Sequence, residues 1–125
     1  MPFKCQSNQI ATEQYNYSMK ATENIFLPVK ARPGEVIIVH SISVYNNTAN
    51  IYWYLYELIK RRGFIYRVDF IQVVLAAGVH LFNQDLYLID GDEAGIAIRT
   101  TRSGATVQVT IQFMRLRDDE YFKST

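Results

Sequence analysis

The chain is 125 residues long, with a net charge of +1, a single cysteine and 49% hydrophobic residues. That size and composition set one folded domain and exclude a disordered chain. The near-neutral balance supplies no global field to gather nucleic acid or anionic lipid, and a lone Cys5 excludes an internal disulfide.

Residues 1–22 are polar and weakly patterned. They are expected to form an N-terminal arm, with Ile10, Tyr15 and Tyr17 as spaced anchors for a partner. The opening MPFKCQSNQ has no apolar run typical of a leader, and no stretch approaches the roughly 18 apolar residues of a membrane span. Synthesis in a reducing cytosol and no membrane partner are therefore expected.

A sandwich domain is expected over 23–117. Ile25-Phe-Leu-Pro-Val29 predicts a short strand, which Pro28 directs to a sheet edge because it has no N–H to donate. After the turn Arg32-Pro33-Gly34-Glu35 the pattern takes a period of two. Val36, Ile38, Ile42 and Val44, with His40 among them, fall on one face; Ile37, Val39, Ser41, Ser43 and Tyr45 fall on the other. In the next strand Tyr52, Tyr54, Tyr56 and Leu58 oppose Ile51, Trp53, Leu55 and Ile59. The aromatic and β-branched content of 54–62 argues against a helix there.

Phe64, Tyr66, Val68 and Phe70 alternate with Arg67 and Asp69. Short strands follow at 79–82 and 86–89, and Asp90-Gly91-Asp92 is a strong turn signal. Residues 94–101 carry a small-residue face, Gly95 and Ala97, where a neighbour can approach closely. Residues 106–116 put Val107, Val109, Ile111 and Phe113 on one side, and Thr106, Gln108, Thr110 and Gln112 on the other. The polar stretch 118–125 reads as a C-terminal tail. About eight antiparallel strands at roughly ten-residue spacing predict an all-β, two-sheet, jelly-roll-like sandwich.

Catalytic chemistry finds little support. Neither His40 nor His80 sits in a paired-ligand motif of the cupin kind, though two His and a carboxylate brought together by the fold remain a third alternative. Asp85, Asp90, Asp92 and Glu93 are too compact for a calcium loop and suit a solvated turn. Lys60, Arg61, Arg62 and Arg67 lie beside aromatics, but four charges in a near-neutral chain make a nucleic-acid partner unfavoured. No serine-nucleophile or phosphate-loop motif occurs. No catalytic, cofactor-binding or metal-binding residue is assigned, and the chain is not expected to be an enzyme.

Tyrosine is the more informative residue. With 9 Tyr and 7 Phe, aromatics reach 14% of the chain, and Tyr52, Tyr54 and Tyr56 in register form a candidate interface face. The alternative use of such a row is a carbohydrate-binding platform.

GEVIIVHSISVYNNTA, the segment Leu86-Tyr-Leu-Ile-Asp-Gly-Asp92, the strand AGIAIRTT, the turn Arg102-Ser-Gly104 and the final ATVQVTIQF resemble small β-sandwich virion proteins of tailed bacteriophages over residues 33–116. That group includes capsid decoration (cement) proteins and head, neck or tail accessory subunits. The resemblance implies a non-enzymatic virion structural protein without cofactor, a homo-oligomer such as a trimer or ring, docked on a capsid or neck/tail protein.

Overall fold

The computed structural model describes residues 10–19, 22–46, 53–73, 78–100 and 105–117, and these hold nine strands and no helix. The strands are β1 (Ala11–Met19), β2 (Thr22–Lys30), β3 (Glu35–Asn46), β4 (Trp53–Arg61) and β5 (Phe64–Val73), then β6 (Gly78–Phe82), β7 (Leu86–Ile89), β8 (Glu93–Thr100) and β9 (Ala105–Arg117). One sheet has the order β1-β9-β3-β6, with β7 also on β3, and the other β2-β8-β4-β5, all pairs antiparallel. We call them the first and second sheets. Successive strands up to β5 mostly change sheet, and the last strand returns beside the first. With β6 and β7 counted as one interrupted strand, the order is that of a two-sheet jelly roll.

The core is what the two inner faces bury. From β9 it takes Val107, Val109, Ile111 and Phe113, each 2% exposed or less, as their alternation predicts. Burying a side chain of this kind stabilises by roughly 1.5–3 kcal/mol. The second sheet contributes Leu27, Val29, Leu55, Ile96 and Ile98. Pro28 lies in edge strand β2, inside the irregular stretch between Phe26 and Lys30, where no ladder N–H is demanded. Gly95 is required by close approach. A Cβ there would stand 2.5 Å from the Ile25 carbonyl oxygen and 2.7 Å from the Phe26 ring.

Two sequence expectations are corrected. The arm of residues 1–22 does not describe 11–19, which pair with β9 from Ala11↔Phe113 to Met19↔Ala105. The polar side of that strand faces out, and Tyr15 and Tyr17 pack against the core. Its alternation is tyrosine against amide, a weak contrast that hides a strand. Residues 1–9, 20–21 and the tail 118–125 lie outside the described residues.

The second correction concerns β3. Val36 and Ile38 do not share a face with Ile42 and Val44. His40 is an extra residue between Val39↔Phe113 and Ser41↔Gln112, a β-bulge that reverses the parity of everything after it. Ile37, Val39, Ile42 and Val44 therefore enter the core together. Val36 and Ile38 turn outward, into a small second cluster with Leu116 and Met114.

Tight turns use left-handed residues where the sequence signals them. Arg62 (φ 53°) and Gly63 (φ 82°) close the β4–β5 hairpin, and Asp90 (φ 45°) and Gly91 (φ 91°) make the corner from β7 to β8. That corner is held by Asp92, whose Oδ2 accepts from the Ile89 N–H at 3.0 Å and from Arg61 Nε at 2.8 Å. Gly91 N–H donates to the Ala31 carbonyl at 2.7 Å, tying the corner to the end of β2. Asp92 is 2% exposed, so its charge depends on these partners.

Two outcomes follow. Asp92→Ala should lower stability by about 2–4 kcal/mol in urea titration, because Arg61 and the Ile89 amide lose their shared acceptor. Removing residues 1–19 uncovers the β9 edge and the core beneath Tyr15 and Tyr17. It should drop the thermal midpoint by more than about 10 °C or prevent folding, and an unchanged midpoint would show that β1 contributes nothing to the sandwich.

Candidate functional site

The two outer sheet faces are the candidate surfaces, and the register fixes what each carries. On the first sheet the outward residues of β1 are Thr12, Gln14, Asn16 and Ser18. Beside them on β9 stand Thr106, Gln108, Thr110 and Gln112. β3 adds Ser41, Ser43 and Tyr45, and the Ser41 hydroxyl donates to the Gln112 side-chain oxygen at 3.2 Å. The β6–β7 margin presents Val79, Leu81, Tyr87 and Ile89, which are 45–64% exposed, next to a 41% exposed Tyr45.

No outward strand residue named on this face is charged. In a chain with 20% charged residues, an uncharged sheet face, half amide and hydroxyl and half apolar, is a departure from ordinary solvated surface. At the break between β6 and β7, Asp85 meets His40 at 3.3 Å (Nδ1 to Oδ1), so the bulge in β3 and the interruption opposite it are joined.

The second sheet's outer face is different. Tyr54 and Tyr56 flank Phe70, with ring centroids 5.8 and 5.0 Å apart. The Arg67 guanidinium lies 4.4 Å from the Tyr56 centroid and Arg99 lies 6.0 Å from it, while Lys60 sits over Phe26 at 5.4 Å. Leu58 and Ala97 are buried at the base of this layer. The tyrosine row therefore forms a consolidated block of rings and cations. Within this block Arg67 and Arg99 lie over Tyr56, while Phe70 remains 47% exposed.

The expected interface residues are distributed as follows. Ile10, just before β1, is 59% exposed. Tyr15 and Tyr17 sit on the inner side of β1 against the core, and the Tyr15 hydroxyl donates to the Glu13 carboxylate. Burial first and Glu13 second push the Tyr15 pKa up to about 12, and burial raises that of Tyr17. Tyr54 and Tyr56 lie on the opposite sheet, so the two groups do not share a surface, and Tyr52 falls outside the described residues. The strip Val79, Leu81, Tyr87 and Ile89 was not singled out from sequence. Its signal was present in 79–82 and 86–89, where apolar residues occupy both parities.

The histidine pair does not assemble. His80 is opposite Val44 rather than His40, about 13 Å further along the sheet by strand rise. Burial lowers the His80 pKa. Among the described residues no three His, Cys, Asp or Glu side chains group as a metal site requires. The basic cluster is also dispersed into internal contacts: Arg61 holds Asp92 and the Tyr87 carbonyl, and Arg67 covers Tyr56. A cleft of about 490 Å³ between the ends of β2 and β7 is lined by Pro28, Lys30, Arg32, Asp90 and Arg115, and Arg115 is already engaged by Glu35 at 2.7 Å.

Glu57 on β4 is the unexpected group. It is fully buried, pairs across the ladder with Asp69, and neither carboxylate oxygen has a hydrogen-bond partner. Burial, reinforced by the Asp69 charge, raises its pKa to about 7.

No family model matches the chain, and no curated protein matches it. Its fold is similar to a chain of the disulfide-linked pili that form Bacillus endospore appendages, with a TM-score of 0.50 and 12% identity over 88% of this chain and 89% of that one. Weaker similarity extends to the Yersinia pseudotuberculosis-derived mitogen, with a TM-score of 0.43 and 17% identity over 84% and 85% of the two chains. The infectious bursal disease virus VP2 subviral particle gives a TM-score of 0.42 and 12% identity over 90% of this chain and 34% of that one. At these identities what is shared is the fold, a two-sheet all-β sandwich.

Glu57 generates a pH prediction. Its folded pKa lies above the ordinary value of 4.5, so the folded state favours the protonated form. The associated stability is complete below about pH 4.5, declines as pH rises, and is gone above about pH 7. Glu57→Gln, a neutral isostere of the protonated acid, should match the parent at pH 4.5 and exceed it by on the order of 2–3 kcal/mol at pH 8. Urea titrations at the two pH values check this, and equal differences at both would contradict it.

Proposed function

We propose that the chain is a non-enzymatic structural subunit of a virion, of the decoration or head–tail accessory kind found in tailed bacteriophages. The observation that carries this is the first sheet's outer face. It sets amide and hydroxyl groups beside a strip of exposed Tyr45, Val79, Leu81, Tyr87 and Ile89, with no charge on the outward strand residues. Such a surface loses little on desolvation and gains by covering apolar area, which suits a permanent contact more than a transient one.

Further support comes from the sequence resemblance over 33–116, and from a fold that also occurs in a pilus-forming chain. The fold alone does not select a particle, since jelly rolls serve many roles. In a decoration role the subunit would act by adding buried area across joints between lattice proteins. Many weak contacts then sum through multivalency.

The direct test is incorporation. Particles from lysates that contain the chain are banded on a density gradient, and the bands are probed for it by mass spectrometry. The chain should co-band with particles at a fixed copy ratio through two successive gradients. A chain that stays with soluble protein at the top would remove the virion role.

A further inference from the structure

We propose that the first sheet's outer face is covered by the same face of a second copy, packed sheet on sheet about a two-fold axis. The inference names the occupant of the surface on which the virion reading rests. The alternative surface, on the second sheet, presents Arg67, Arg99 and Lys60 over its aromatic layer. Two copies of that face would set like charges against each other. On the first sheet Thr12, Gln14, Asn16 and Ser18, their β9 neighbours, and Val79, Leu81, Tyr87 and Ile89 are uncharged, and the carboxylate at the β6–β7 break, Asp85, is engaged by His40 at 3.3 Å.

The arrangement of the two halves selects the operator. The face runs from amide and hydroxyl groups on β1 and β9 to apolar side chains on β6 and β7. A two-fold axis lying in the interface across the strands places each strand over its own copy. Apolar strip then meets apolar strip, and amide ladder meets amide ladder. An axis along the strands would instead lay Val79 and Leu81 over Asn16 and Gln14, burying amides against hydrocarbon.

The amides keep donors and acceptors on both sides, so like can pair with like across the contact. The size is sufficient. Four strand spacings by nine residues give a face of about 600 Å² in projection. That is of the order of the roughly 800 Å² of accessible surface each partner contributes in a stable pair. Tyr45, opposite Val79, and Tyr87, opposite Ile38, are the residue type that anchors such contacts.

The experiment is light scattering on size-exclusion fractions of the full chain, over a range from about 1 to 200 µM. The parent should move from monomer towards dimer mass within that range. Leu81→Lys puts an ammonium group into the apolar strip of each copy and should raise the dissociation constant at least about 100-fold. Asn16→Lys, on the polar half, should also weaken the dimer, as packing across the strands requires. Arg67→Glu on the opposite sheet should leave it unchanged.

All three positions are exposed, and matching far-ultraviolet circular dichroism and thermal midpoints at low concentration separate lost association from lost folding. A parent that is monomeric at 200 µM would overturn the inference. So would a dimer indifferent to Leu81→Lys, or one that responds to Arg67→Glu. A monomer that still co-bands with particles would overturn this inference alone and leave the virion role standing.

Discussion

The pairing of β3 with β9 is the constraint on which the rest of the molecule depends. It runs from Glu35↔Arg117 to Asn46↔Val107 and joins an early strand to the last described one, so the order of the first sheet depends on it. Everything on the first sheet is then placed relative to it: β1 on the outer edge of β9, and β6 and β7 in succession along β3. The His40 bulge sits inside this ladder. By inserting one residue it brings Ile37, Val39, Ile42 and Val44 into one core and leaves Val36 and Ile38 outside. The break at 83–85 falls opposite the bulge, and the His40–Asp85 contact links the two irregularities.

How much of this was legible in the sequence depended on the contrast between alternate positions. β9 was readable because Val, Ile and Phe alternate with Thr and Gln, a large difference in transfer free energy at every step. The turn at Asp90-Gly91 was readable because few residues accept positive φ. β1 was hidden, since its inward residues Tyr15 and Tyr17 carry hydroxyls and its outward ones are amides. The bulge was hidden for a different reason. VIIVHSISVY is apolar on both faces near its start, and a one-residue insertion leaves no compositional trace. The uncharged outer face followed from neither strand alone, because it is a property of four strands placed side by side.

The two sheets manage their outer surfaces in opposite ways. The second sheet covers Leu58 and Ala97 with its own layer of Tyr54, Tyr56, Phe70 and Phe26, and guanidinium and ammonium groups stand over the rings. Phe70 and Ile65 on this outer face remain 47% exposed beside those cations. Glu57 lies beneath this sheet on the core side, where a carboxylate without partners costs stability whenever it is charged. Its neighbour across the ladder is acidic Asp69 and not a base, so proximity makes ionisation harder rather than easier.

Among the described residues the first sheet has no comparable cover over Val79, Leu81, Tyr87 and Ile89. A solitary soluble domain gains by placing charges among such residues, since exposed strands rich in apolar side chains invite association. Here the outward positions alternate with well-buried core residues on the same strands, and Thr12, Gln14, Asn16, Ser18, Val79 and Leu81 are exposed enough to carry Lys or Glu. On this face the polar groups are amides and hydroxyls, which donate and accept but bear no net charge. That chemistry keeps the surface wettable while the chain folds and removes little free energy when a matching surface displaces the water. On the proposed two-fold contact, the same face of a second copy is what displaces that water.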